Sequence, residues 1–280
     1  MSDPTFRNIS DTALWAAMYR AGETERRRPL FRDPYARRLA GTRGPEIAGK
    51  LRKQERNAWA WVIRTFLFDH FISEAIAGGA DTIINLAAGL DARPYRMNLP
   101  PALKWVEVDL PPLLSYKEEI LRADKPNCRL ERIPADLGDR AARQELFEHL
   151  DASAKNALVI TEGLLIYLTP EDARAFADDL AERRSFHRWV LDVVSPGLLR
   201  MMQRQVGAEL DRARAPLQFA PEEGPEFFTR SGWKIAEVRS TLKAAVQQRR
   251  VPWWGYLFAL FPEPKRPGKQ PWSAACLLNR

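Results

Sequence analysis

The sequence predicts an α/β fold: a mostly parallel sheet with helices on both of its faces. Three observations predict it. Short apolar segments rich in Val, Ile and Leu alternate with longer amphipathic ones through the middle of the chain, the apolar segments stop at small-residue turns or at acids, and no internal repeat interrupts the alternation. Successive strand–helix units of this kind build a parallel sheet. Binding sites in such sheets gather beyond the C-terminal strand ends.

Residues 1–79 read as a helical extension ahead of the sheet. Ser10-Asp11 predicts a helix start running through about Tyr19, with Ala13, Ala16 and Ala17 as a small-residue face. Asp33-Pro34 sets an acid before proline at a first helical position, and Gly41 supplies a stop. Ile47, Leu51, Ala58, Trp61, Val62, Phe68, Ile72 and Ile76 recur with a helical period, which predicts one long helix from Glu46 to about Ala77, closed by Gly78-Gly79. Arg64 shares a stripe with Trp61, Phe68 and Phe71. It is either a structural, salt-bridged or snorkelling arginine or a planar fork of donors for a cofactor carboxylate.

Residues 80–195 read as a cofactor-binding core. Its predicted strands are Thr82–Leu86, Lys104–Val108, Cys128–Ile133, Ala157–Thr161 and Trp189–Val194, separated by helices at Pro112–Ala123, Arg140–Leu150 and Pro170–Arg183, the last begun by Thr169 with Pro170. The strand ends fall near Gly89, at Asp109, near Ala135-Asp136-Leu137 and at Thr161-Glu162-Gly163. Three carboxylates at successive strand ends would face one crevice, although Asp136 could instead cap the helix at Arg140 and Glu162 could simply begin a loop. Asp109 follows Gly89 by twenty positions, the place where nucleotide-binding α/β folds set an acid against ribose hydroxyls. Ala87 and Ala88 stand where glycines would let a pyrophosphate approach, so these residues point to S-adenosylmethionine rather than to NAD.

Residues 196–226 have little strand character, and an insertion at this point would sit above the strand ends as a substrate lid. It holds an amphipathic helix at Leu198–Met202 and a proline- and acid-rich loop, 216–225. Residues 227–280 complete the sheet, with Trp272–Leu278 pairing against the alternating Lys234–Val238. Val251–Phe261 is aromatic-rich and reads as a packing helix, with membrane association as the minor alternative, and Glu263–Pro271 reads as a polar linker.

Composition narrows the function classes. At 280 residues, 45% hydrophobic and 28% charged, the chain fits a single globular domain, and it shows neither a signal segment nor an apolar run of membrane-spanning length, so a cytoplasmic protein is expected. Its net charge of +7 is spread over basic residues interleaved with acids, as on solvated faces, and no nucleic-acid partner is expected. Cys128 and Cys276 read as small buried hydrophobes, and with His70, His149 and His187 scattered no metal is expected.

Several blocks, in order from Asp11 to Leu168, resemble the leucine carboxyl methyltransferase-like family of S-adenosylmethionine-dependent methyltransferases. They are Asp11-Thr12-Ala13 with Arg20-Ala21-Gly22-Glu23-Thr24, Phe31-Arg32-Asp33-Pro34-Tyr35-Ala36, and Asn85-Leu86-Ala87-Ala88-Gly89-Leu90-Asp91-Ala92-Arg93-Pro94-Tyr95-Arg96. Glu107-Val108-Asp109-Leu110-Pro111 with Lys117, and Glu162-Gly163-Leu164-Leu165-Ile166-Tyr167-Leu168, continue the match. The resemblance implies a class I methyltransferase, Rossmann-like fold: a mostly parallel seven-stranded sheet with an antiparallel C-terminal strand. It also implies a cofactor site in which Arg64 takes the methionine carboxylate, Ala87 and Gly89 after the first strand and Leu110 after the second pass close to the cofactor, and Asp109 takes the ribose. Asp136 and Leu137 would lie beside the adenine, and Glu162 near the methionyl end. Ala87 replaces the glycine of the family's Leu-Gly-x-Gly pattern; alanine suits that place if its φ is negative.

Methyl transfer is an in-line displacement that proximity and orientation can accelerate without a dedicated base. A carboxylate acceptor arrives ionised, whereas a hydroxyl needs help, for which Tyr167 and Glu162 are the candidate catalytic groups. The expected activity is O-methylation of a small carboxylic acid or hydroxylated metabolite. Nothing in the lid marks a peptide groove for a protein C-terminus. A non-catalytic cofactor-binding protein would show the same residues up to Leu168. An NAD-dependent dehydrogenase lacks its glycine fingerprint here, and an α/β-hydrolase lacks its Gly-x-Ser-x-Gly elbow.

Overall fold

The first five strands in the chain pair in parallel, and the last two complete the sheet at one edge. The computed structural model describes residues 4–261 and 268–280, with the side chains of 52–54 and 254 outside the description. The N-terminal part supplies helices α1 (Asp11–Thr24), α2 (Ala36–Ala40), α3 (Arg43–Lys50) and α4 (Ala58–Ala77). Then come β1 (Thr82–Leu86), α5 (Arg93–Arg96), β2 (Lys104–Asp109), α6 (Pro111–Leu121), β3 (Arg129–Pro134), α7 (Arg140–Ser153), β4 (Ala157–Thr161), α8 (Pro170–Ala181) and β5 (Phe186–Val194). After β5 the chain forms α9 (Pro196–Met202), α10 (Ala208–Arg212), β6 (Lys234–Ser240), α11 (Thr241–Gln247), α12 (Trp253–Ala259) and β7 (Ser273–Asn279).

The strand order is β3-β2-β1-β4-β5-β7-β6, with β7 antiparallel to both neighbours. This is the mostly parallel seven-stranded sheet that the sequence predicts. The chain leaves β3 at one edge and re-enters as β4 beside β1, so the order reverses between β1 and β4 and opens a crevice at their C-terminal ends. Both faces of β1 and β4 are buried, which is why they read as continuous apolar runs. Ile84, Leu86 and Val159 pack on one face with Phe147 and Phe176, whereas Ile83, Leu158 and Ile160 pack on the other with Phe68 and Ile72 of α4. The alternation follows from the two-residue period of a strand.

Some expectations are corrected. The long helix predicted from Glu46 to Ala77 is two helices joined by a 3-10 turn at Arg52–Asn57, where the sequence has six polar residues in a row and no apolar position to hold a helical stripe. Ser10 makes no capping hydrogen bond; Asp11 instead accepts one from the Arg7 N–H at 2.7 Å. Asp139, not Asp136, caps α7, accepting from the N–H groups of Ala141 and Ala142. The strand β7 pairs with β6 as expected and also inserts against β5. A helix missed in the sequence, α11, starts at the capping hydroxyl of Ser240. Val251–Phe261 does not behave as a packing helix: Trp253 is 77% and Leu260 82% exposed. Of the predicted polar linker, residues 263–267 lie outside the described residues. No described helix is long and apolar enough to cross a membrane. Both cysteines are buried, and burial pushes the Cys128 thiol up to about 11.

Ala87 has a φ of 53°, in the left-handed region, against the negative value under which alanine would sit comfortably. Such a backbone costs a residue with a Cβ about 1 kcal/mol. Ala87→Gly is therefore expected to stabilise the protein by about 1 kcal/mol and raise its Tm by about 2 °C. Thermal melts of the two proteins check this; an unchanged or lower Tm in the variant contradicts the strain.

Candidate functional site

A cavity of about 1170 Å³ opens over the C-terminal ends of the parallel strands. Its wall includes every residue singled out from the sequence: Arg64, Ala87, Gly89, Asp109, Leu110, Asp136, Leu137, Glu162 and Tyr167. The topology is the cause. Parallel strands end on one side, and the turn that follows each one carries its polar residues to the same rim.

At the end of β1 the chain turns tightly through Ala87 and Gly89, both at positive φ. Gly89 has a φ of 52°, which suits glycine, and a Cβ there would meet the Cβ of Ala13 in α1 at 3.4 Å, an ordinary contact. Asn85 donates to Asp91 at 2.8 Å, and Asp91 accepts from the Arg93 N–H at 2.9 Å, which fixes the far side of the turn. Asp109, the last residue of β2, accepts from the Gly89 N–H at 2.6 Å through Oδ2 and from the Leu110 N–H at 2.7 Å through Oδ1. Burial raises its pKa above the ordinary aspartate value, and the two backbone donors and Lys117 only partly counter this. The acid end of β2 is thereby locked to the turn after β1. Asp136, which does not cap α7, accepts the N–H of Gly138 at 2.9 Å.

Arg64 lines the same cavity from α4. Its Nε lies 3.2 Å from Glu162 Oε1 and its Nη1 3.2 Å from Asp192 Oδ2, with the guanidinium 4.7 Å from the centre of the Trp61 ring. It is thus both ion-paired and part of the cavity wall, so the two readings of this residue are compatible. Gly163 has a φ of 72°, and a Cβ there would meet Arg64 Nη1 at 3.1 Å; glycine lets the guanidinium lie across the turn after β4. Glu162 is held on its second oxygen by Arg93 Nη2 at 2.8 Å. Arg93, only 2% exposed, also pairs with Asp69 at 2.6 Å and Asp91 at 2.8 Å. Burial raises the pKa of the Tyr167 phenol, so it is a neutral hydroxyl at physiological pH.

Asp192 was not foreseen. It lies in β5, accepts from the Gly163 N–H at 2.6 Å, pairs with Arg64 and lines the cavity, and burial raises its pKa against the pull of Arg64. Its signal was present as a lone acid inside the apolar run Trp189–Val194. The N-terminal helix, predicted as an extension, also reaches the site: Thr12, Ala13, Trp15 and Arg20 line the cavity. Residues after β5 cover the same space: Leu210 and Leu217 pack with Phe6, Trp15 and Ile47 in one cluster, and the N–H groups of Gln218 and Phe219 donate to the carbonyl of Ile166, beside Tyr167. Between α9 and α10 the helix widens into a π turn at Gln203–Gly207.

A sheet in this strand order, with a glycine turn after its first strand and an acid ending its second, is the layout of class I S-adenosylmethionine-dependent methyltransferases. The sequence pattern of the family described as leucine carboxyl methyltransferase matches residues 13–181, more than half of the chain. The chain belongs to that family, and its cofactor is S-adenosylmethionine. A Mycobacterium tuberculosis protein provisionally named an S-adenosyl-L-methionine-dependent methyltransferase is 33% identical over 237 residues, 79% of this chain and 76% of that protein. A Frankia alni protein with the same provisional name is 38% identical over 177 residues, which span 58% of this chain and 60% of the relative. Among solved structures, a DUF574 family protein from Streptomyces avermitilis shares the fold, with a TM-score of 0.60 at 13% identity over 95% of this chain and 96% of that one.

Proposed function

We propose that the cavity holds S-adenosylmethionine beside a small-molecule acceptor and that the methyl group passes to an oxygen of that acceptor, with a carboxylate as the acceptor the site suits best. The observation that carries this reading is a cavity of about 1170 Å³ over the strand ends, larger than the roughly 300–1,000 Å³ of a pocket for one drug-sized ligand. It has room for two molecules in contact.

The residues fit the cofactor. In this reading the ribose hydroxyls donate to Asp109, whose oxygens keep acceptor capacity beyond the two N–H groups they already receive. Gly89, Ala87 and Leu110 offer backbone for close passage, Asp136 and Leu137 flank the adenine, and Arg64 takes the methionine carboxylate, with Glu162 near the methionyl end. When bound, the cofactor supplies an electrophilic methyl on a cationic sulfur.

What the chain's own groups do then follows. A hydroxyl acceptor must lose a proton, but the candidates for taking it are engaged: Glu162 by two arginines, Asp192 by Arg64 and the Gly163 N–H, and Tyr167 by its own proton. Among the described residues no histidine lines the cavity. A carboxylate needs no base, so Glu162 and Tyr167 act by positioning, the phenol as a hydrogen-bond donor. Residues 196–226 serve as the lid, and a dry cavity favours a reaction that neutralises charge. The test is transfer from methyl-labelled S-adenosylmethionine to a panel of carboxylic acids and alcohols. Label released as volatile methanol by mild base marks a methyl ester and supports the carboxylate. Base-stable label marks an ether and overturns that preference, and no transfer to any acceptor favours a non-catalytic binding protein.

A further inference from the structure

Arg214 is an arginine where the local backbone favours glycine. Helix α10 ends in a six-to-one hydrogen bond from the Ala215 N–H to the Leu210 carbonyl, enclosing one from the Arg214 N–H to the Asp211 carbonyl. That pattern places a left-handed residue just past the helix end, a position glycine usually takes. Here Arg214 takes it, with a φ of 56°. Its neighbours Ala213 and Ala215 are buried, which pins the turn, while Arg214 itself is exposed and lines the cavity.

The other arginines of the cavity wall are committed. Arg20 pairs with Asp33 at 2.9 Å, Arg64 with Glu162 and Asp192, and Arg93 with Asp69, Asp91 and Glu162. Among the described residues the Arg214 guanidinium has no hydrogen bond or ion pair. The wall on its side is apolar, with Trp15, Met202, Val206, Leu210 and Leu217, and the exposed Phe261 lines the cavity too. A cation at the edge of an apolar wall matches a ligand with an apolar body and an anionic end.

We propose that Arg214 is a specificity residue that recognises an anionic group on an amphipathic acid, whose apolar body lies along the Trp15–Leu217 wall. This rests on the reading that the cavity admits an acceptor beside the cofactor. A matched pair of fluorescent probes tests it: anilinonaphthalene sulfonate, and phenylnaphthylamine, which has the same aromatic body without the sulfonate. Arg214→Gly removes the guanidinium at a backbone angle glycine adopts freely, so the fold is retained, and Arg214→Lys keeps the charge. The glycine variant is expected to weaken sulfonate binding about tenfold and to leave the neutral probe unchanged, with most of the affinity kept in the lysine variant. Equal effects on both probes, or none on the sulfonate, overturn the proposal. S-adenosylmethionine binding measured on the same samples separates the two readings. If the probe pattern holds and the cofactor fails to bind the unaltered protein, the cofactor assignment falls and the anion site stands.

Discussion

Asp109→Ala is expected to weaken S-adenosylmethionine binding about 100-fold. In the proposed complex two ribose hydroxyls donate to an ionised carboxylate, and each such hydrogen bond contributes about 1.5–3 kcal/mol, so losing the acceptor forfeits roughly 3 kcal/mol. The same carboxylate ties the Gly89 and Leu110 N–H groups, so the turn itself loosens and adds to the loss. Titration calorimetry of the two proteins measures it, and unchanged affinity would remove Asp109 from the ribose. Burial also gives a pH signature. Because the Asp109 pKa is raised, its neutral form gathers at a higher pH than for an ordinary aspartate of about 3.9, and affinity should decline on acidification before exposed carboxylates titrate. For the free protein the sign is opposite. A raised carboxylate contributes stability that is present below its unfolded pKa and lost as pH rises through the folded one, so ionised Asp109 costs the fold something at neutral pH.

The second large effect is on stability. Arg93→Ala leaves the buried Asp91 without its ion-pair partner and takes one cation each from Asp69, which keeps Arg96, and from Glu162, which keeps Arg64, and removing one partner from a buried ion pair typically costs about 3–5 kcal/mol. That is a large share of the roughly 5–15 kcal/mol that holds a native domain together. The Tm should fall by about 10 °C. In the unaltered protein burial would raise Asp69 and Asp91, but Arg96 and Arg93 at Asp69, and Arg93 and Lys117 at Asp91, outweigh it and hold both below the ordinary aspartate value. Carboxylates depressed in this way contribute stability above their unfolded pKa and lose it as pH falls through the folded one. The gap between the two proteins should therefore narrow on acidification towards about pH 4, where Asp91, left without its arginine, takes up a proton. A gap that is small at neutral pH, or constant with pH, would contradict the account of Arg93 as the hub of this network.

The core of the fold was legible because strands buried on both faces announce themselves as apolar runs, and the turns after them carry the polar residues. The order of the last two strands was less legible: β7 lies between β5 and β6, and local patterning holds no record of which edge a late strand joins. The break at Arg52–Asn57 was hidden because the period resumes in nearly the same phase after it. In the site, residues that end strands were found because each had a fold-level reason to face the crevice. Asp192 was missed since it lies within β5 rather than at its end, and Arg93 since its partners Asp69 and Glu162 are distant in sequence. Arg214 depends on the backbone angle of a single residue, which composition does not reveal.

In the proposed complex the cofactor lies along the cavity wall from Asp109 to Arg64. A crystal structure with S-adenosylhomocysteine tests it most directly. The predicted result is a ribose hydrogen-bonded to Asp109, an adenine beside Asp136 and Leu137, a carboxylate on Arg64, and open cavity beyond the sulfur towards Arg214. A nucleoside bound elsewhere, or one lying in the cavity with its ribose away from Asp109, would contradict it.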